Sequence, residues 1–136
     1  MSQLHDIRKA FEELGAQFDA AWNARDASAL VALFTADGDM QFWTGKTISG
    51  RQQIELAYAS EIFASMPPDM RHTTMLDRFT LPRPDVAIGD GSVKIQGTTG
   101  PDQPAVELNL LFTCVSVLDE GEWRIAAVRL MIPQGE

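Results

Sequence analysis

The stretch VELNLLFTCVSVLDEGEWRIAAVRLMI, residues 106–132, decides the fold. Val106–Leu118 is dense in β-branched and aliphatic side chains, Asp119-Glu120-Gly121 marks a tight turn, and Glu122–Ile132 resumes the pattern. This predicts two long antiparallel strands. Strict alternation on the last strand puts Trp123, Ile125, Ala127 and Met131 on one face and Ala126, Val128 and Leu130 on the other. Both faces are apolar, so helices must cover one and another surface the other. A homodimer is the simplest cover.

Strands also dominate the stretch before it. Arg71–Leu81 alternates loosely, Pro82 and Pro84 interrupt, and Asp85–Ile88 and Ser92–Gln96 are β-rich. Asp90-Gly91 reads as a hairpin turn, and Gly97–Pro104 as a longer loop. The N-terminal half is helical. Leu4, Ile7, Phe11, Leu14, Phe18 and Trp22 form one stripe of an amphipathic helix, with Ser2 able to cap its start. Asp26 can cap a second helix whose Leu30, Leu33 and Phe34 face inward. Met40-Gln41-Phe42-Trp43 reads as a strand, and Gly45-Lys46 turns into a short strand at Thr47-Ile48. Ser49 and Gln52 have capping-box spacing before a third helix, with Ile54, Tyr58, Ile62 and Met66 on one face. Pro67-Pro68 stops it. The class is α+β, with residues 1–136 expected as a single domain.

Composition narrows the partners. Eleven Lys+Arg against 19 Asp+Glu give a formal charge of −8, a field that repels nucleic acid and anionic membrane surfaces. The longest mostly apolar run, Leu108 to Leu118, contains Asn109, Thr113 and Ser116 and falls short of the roughly 18–20 residues a span requires. No signal-peptide pattern opens the chain, so a cytoplasmic location is expected. Cys114 is the only cysteine; it reads as a small buried hydrophobe.

Trp22-Asn23-Ala24-Arg25-Asp26, Leu33-Phe34-Thr35-Ala36-Asp37 and Gly50 before the third helix, in this element order, resemble the nuclear transport factor 2-like, or SnoaL-like, superfamily. Arg71-His72-Thr73, Arg78–Ala87 and Gly121–Ala127 are similar to its SgcJ/EcaC-type branch. The resemblance implies a cystatin-like cone, three N-terminal helices packed on a strongly curved mixed or antiparallel sheet, usually dimeric. It also implies one long strand over Asp85–Gln96, bulged or not, which overrules the hairpin at Asp90-Gly91 and leaves it the minority reading. Related cones carry cofactor-free proton transfer, as in ketosteroid isomerases, polyketide cyclases and dehydratases. Aligned with the isomerases, Phe18 stands at their hydrogen-bonding tyrosine, Phe42 at their aspartate base and Thr113 at the acid of their oxyanion hole. Tyr58 matches a supporting tyrosine. Steroid isomerase chemistry is therefore not expected.

His72 is the candidate base, since imidazole changes charge near neutral pH and the position is often histidine in the branch the chain resembles; a strand-edge or dimer contact is the alternative. His5 lies off the helical stripe, toward solvent. Phe18, Trp22, Met40, Phe42, Tyr58 and Leu130 are expected to line an apolar pocket at the cone's open end. Leu130 departs from an asparagine common in the branch, making that pocket more apolar. Asn109 and Thr113 share one strand face with Leu111 and Val115: they are polar handles if that face looks inward, and interface groups if it looks outward. Asp37 and Asp39 read as turn residues rather than a metal pair, two histidines and one cysteine make no zinc spacing, and no cofactor fingerprint appears. The expected function is a pocket for a small, mostly apolar polyketide- or terpenoid-like ligand. If it is an enzyme, it is a cofactor-free cyclase, isomerase or dehydratase with His72 as base and Tyr58 or Asn109 as orienting donors. The opposing reading is a non-catalytic dimerisation or assembly module.

Overall fold

The computed structural model describes residues 2–67, 69–98 and 105–134. Helix α1, Ser2–Asn23, buries Ile7, Phe11, Leu14 and Trp22, whereas Leu4 is exposed, so the stripe grips the core from Ile7 onward. The cap expected from the Ser2 side chain lies outside the described atoms. Past Asn23 the chain reverses through Arg25 at φ +58°. The Arg25 guanidinium lies 4.7 Å over the Trp22 ring and donates to the Pro67 and Met70 carbonyls at 2.8 and 3.1 Å. As expected, Asp26 caps α2, Ala27–Val31, by accepting from the Ala29 N–H at 3.0 Å.

Leu33 and Phe34 do not continue that helix. Strand β1 runs Phe34–Gln41, beginning before and ending short of the expected Met40–Trp43 segment. The cause is distant. The Ile125 N–H donates to the Leu33 carbonyl at 2.8 Å, and Phe34 pairs with Ile125 in parallel. Strand β2 is Thr47–Ser49. The Ser49/Gln52 capping box does not form: Gly50, at φ +90°, is the N-cap of α3, Arg51–Ala57, with no side-chain cap. A π-helical turn at Tyr58–Ile62 leads into α4, Phe63–Ser65. Residues spaced by four drift about 40° per step around an α-helix; the wider turn keeps Ile54 and Tyr58 buried while Ile62 and Met66 still pack on the core. Pro68 of the stop signal lies outside the described residues.

Strands β3 (Arg71–Arg83), β4 (Val86–Thr98), β5 (Ala105–Asp119) and β6 (Glu122–Met131) complete an open six-stranded sheet of order β2-β1-β6-β5-β4-β3. Among the described strand pairs only β1–β6 is parallel. Helix α1 crosses one face of the sheet, packing on β3, β4 and β6, and all the described buried apolar side chains but Ala57 form one cluster. The β5–β6 turn is tight as expected, with Glu120 and Gly121 both at positive φ. The Gly97–Pro104 loop lies outside the described residues from 99 to 104.

The single long strand that the resemblance implies is the one found, and the minority hairpin at Asp90-Gly91 is not. Strand β4 is continuous there, and the chain reverses at Pro84-Asp85, between the paired Arg83 and Val86. Pro82 is tolerated because β3 is an edge strand. Gly91 instead faces a bulge: pairing slips between Leu76 and Arg78, and a Cβ on Gly91 would lie 2.0 Å from the Met75 carbonyl oxygen and 2.8 Å from the Phe112 ring. Gly91→Ala should therefore destabilise the protein by about 1–3 kcal/mol, as overpacking does; an unchanged urea midpoint would contradict this close approach.

A second bulge corrects the facing of β6. Val115 pairs with Ala127 but Ser116 with Ile125, so Ala126 is the extra residue. Ile125 and Val128 are consequently both buried against the core, which strict alternation would have separated.

Candidate functional site

Asp19 and Asn23 lie one turn apart on α1, and both reach the free edge of β3. Asn23 Oδ1 accepts from the His72 N–H at 2.7 Å, and its Nδ2 donates to the His72 carbonyl at 3.1 Å. Asp19 accepts from the Thr74 N–H at 2.9 Å and the Thr74 hydroxyl at 2.7 Å. Two helix side chains thus replace a missing strand and satisfy edge groups that would otherwise stay open. They also fix the His72 ring: its Nδ1 is 2.7 Å from Asp19 Oδ1. Because Asp19 already accepts twice from Thr74, it serves as acceptor here too, and Nδ1 carries the proton. That tautomer leaves Nε2 with a basic lone pair and no partner among the described residues.

His72 is 7% exposed. Its ring lies between Phe18, centroids 5.4 Å apart, and Trp22, at 5.1 Å. It lines a cavity of about 430 Å³ between α1 and the sheet, whose walls include Phe11, Leu14, Phe18, Phe112, Val128 and Leu130. A much smaller space of about 30 Å³ lies beyond it, bordered by Trp22, Phe42, Tyr58 and again His72 and Leu130.

The expected pocket residues are therefore divided. Phe18 and Leu130 line the larger cavity; Trp22, Phe42 and Tyr58 line the smaller one, joined to it through His72 and Leu130. Met40 lines neither and is core, 1% exposed. Tyr58 does not present its hydroxyl to His72: the oxygen lies 3.4 Å from Met40 Sδ. Asn109 and Thr113 are not polar handles of the cavity. Leu110, Phe112, Cys114 and Ser116 are the buried alternation of β5, so the odd-numbered positions face outward; Thr113 donates to Asp90 at 2.6 Å and Asn109 to Glu107 at 2.9 Å. At the position compared with an isomerase acid, a one-residue shift brings Phe112 or Cys114 inward, neither of them a carboxylic acid. Asp37 and Asp39 do not sit at a turn but within strand β1, where Asp37 accepts from Thr35 and Asp39 pairs with Arg129 at 2.7 Å.

Asp19 and Thr74 were not among the residues anticipated. One local signal marked Asp19. Its helical neighbours at three and four residues are Gly15, Ala16, Trp22 and Asn23, so a carboxylate beside the apolar stripe has no cation within one helical turn and finds its partners on another element.

Burial also holds two other polar groups neutral. It pushes the Cys114 thiol up to about 12, against a smaller opposing effect of its contact with Ser116, so this cavity-lining sulfur is no nucleophile. Burial likewise raises the Tyr58 phenol well above its usual range. Both folded-state values lie above the unfolded ones. Their stabilisation is complete below pH 9 and is lost as pH rises, first through the thiol's range between about 9 and 12 and, for the phenol, from about 10 upward. Tyr58 is the only tyrosine. Tyrosinate absorbance should therefore appear only together with loss of near-ultraviolet circular dichroism; ionisation preceding unfolding would contradict the burial.

An open sheet crossed by a long helix, with an acid–imidazole pair at the wall of an apolar cavity, is the arrangement of a cystatin-like fold. The SnoaL-like domain family matches residues 3–129, and the chain belongs to that family. Among curated proteins, none matches it in sequence. Solved structures share the fold. A putative scytalone dehydratase from Novosphingobium aromaticivorans superposes with TM-score 0.85 at 14% identity, covering 98% of this chain and 88% of that one. A LinA-type hexachlorocyclohexane dehydrochlorinase from Novosphingobium barchaimii gives 0.83 at 15%, covering 97% and 90%. A nuclear transport factor 2-like protein with a cystatin-like fold, also from Novosphingobium aromaticivorans, gives 0.81 at 18%, covering 98% and 86%. No helix among the described residues is long and apolar enough to cross a membrane.

Proposed function

We propose that the protein is a cofactor-free acid–base enzyme of lyase or isomerase type, acting on a mostly apolar metabolite of polyketide or terpenoid size. The observation that carries this reading is the Asp19–His72 pair, 2.7 Å apart, at the wall of an apolar cavity of about 430 Å³. His72 Nε2 takes a proton from a substrate carbon, while Asp19 holds the ring and balances the imidazolium that forms. Two similar structures are named for eliminations, a dehydration and a dehydrochlorination, which supports the same class here. The quoted motifs support placement in the SgcJ/EcaC-type branch.

Deuterium wash-in tests the chemistry without knowledge of the product. Uncharged polyketide-like ketones incubated with the protein in D₂O should gain deuterium at their acidic carbons. His72→Ala should slow the gain by about 100-fold or more. Equal exchange with the variant, or none above buffer with the native protein, would refute the assignment.

A second reading, an assembly module, draws on the outer sheet face, where Leu111 and Met131 are 41% and 43% exposed. It shares with the first the proposal of a homodimer through that face. Sedimentation at micromolar concentration giving only a 15.0 kDa species would rule the homodimer out.

A further inference from the structure

We infer that the cavity selects uncharged ligands and rejects anionic ones such as carboxylates and sulfonates; this rests on the ligand-site reading above and deepens it. The inference comes from the charges that reach the cavity. Its lining contains Glu12, Asp19 and His72, and no lysine or arginine. All 11 basic residues lie among the described residues and outside that lining, with Lys9, Arg71, Arg83 and Lys94 exposed to solvent. Arg25 is bound to the Pro67 and Met70 carbonyls, Arg51 to the Phe34 carbonyl, and Arg129 to Asp39. Lys46, Arg78 and Arg124 pair with Glu61, Asp90 and Asp119, away from the lining. Arg8, the basic residue paired with a rim group, meets Glu12 at 3.5 Å with both side chains about half exposed, where solvent screens it.

The only lining group able to become cationic is His72, and it is already matched by Asp19. Whether the ring is neutral or protonated, the pair carries −1 or 0, and Glu12 adds a further negative charge at the rim. An anion entering would lose its hydration, meet no unmatched positive charge, and lie among Phe11, Phe18, Phe112 and Ile125. The net charge of −8 adds repulsion at longer range. A neutral ring system suffers none of these costs and gains from apolar burial.

A matched pair of dyes tests this by fluorescence titration: N-phenyl-1-naphthylamine, which is uncharged, and 1-anilino-8-naphthalenesulfonate, the same skeleton bearing a sulfonate. The uncharged dye should bind and the sulfonate should bind at least about 100-fold more weakly. Glu12→Lys, at an exposed rim position, should narrow that gap. Ala16→Trp, also exposed and bordering the cavity, should block the uncharged dye. Comparable affinities for both dyes, each blocked by Ala16→Trp, would overturn the charge selectivity and leave the ligand site standing. Failure of both dyes to bind, or binding indifferent to Ala16→Trp, would overturn the ligand-site reading itself.

Discussion

Replacing Trp22 with alanine should lower the free energy of unfolding by about 3–5 kcal/mol, the usual cost of deleting a buried indole. Trp22 is 2% exposed. Its ring meets Phe63 edge-on at 5.7 Å, lies 5.1 Å from His72, and carries the Arg25 guanidinium at 4.7 Å. Truncation therefore opens the small space toward the large cavity. It also loosens the Arg25 clamp that ties the end of α1 to the segment before β3. Urea denaturation should show a lower midpoint with little change in slope. Leu4→Ala, at a position 51% exposed on the same helix, should change stability by no more than about 0.5 kcal/mol. Equal effects of the two substitutions would contradict the described packing of α1.

Asp19→Ala should cost about 2–4 kcal/mol. It leaves the Thr74 N–H, the Thr74 hydroxyl and His72 Nδ1 without their acceptor at once, and unsatisfied donors at a part-buried site are expensive. The Asp19 side chain is 20% exposed, so water recovers some of the loss and the figure stays below that of a fully buried ion pair. Asp19→Asn keeps one acceptor oxygen and should cost less. Alanine and asparagine variants of equal stability would mean that the carboxylate does not organise the edge of β3.

Much of the fold was legible because its signals are local. The stripe on α1, the Asp26 cap and the Glu120-Gly121 turn depend on residues within a few positions of one another. The parts that were not legible depend on pairing across the chain. Phe34 leaves the helical pattern because Ile125 offers a parallel partner. Gly91 does not turn because β3 and β5 hold β4 straight on both sides, a continuity that the resemblance implies and the local Asp90-Gly91 signal conceals. The bulge at Ala126 shifts the facing of β6 by one residue, which no alternation count can reveal. For the site, His72 was visible as an isolated titratable side chain at the start of a strand. Its partner lies 53 residues earlier, and only the crossing of α1 over β3 brings them together. The face of β5 was undecidable from sequence, since Leu110, Phe112 and Cys114 compete with Leu111, Thr113 and Val115 as apolar alternations.

Nitrogen-15 NMR of the imidazole rings, with the His72 signals identified by comparison with His72→Ala, tests the central claim most directly. There are only two histidines, and His5 is exposed, so the His72 signals are readily separated. If Asp19 accepts from Nδ1 and Nε2 is the base facing the cavity, the neutral ring should be protonated at Nδ1 alone, and Asp19→Asn should disturb that preference. Addition of N-phenyl-1-naphthylamine should move the Nε2 resonance while leaving Nδ1 bonded. A His72 ring protonated at Nε2, or an Nε2 signal indifferent to an occupied cavity, would contradict the assignment of this imidazole as the working group.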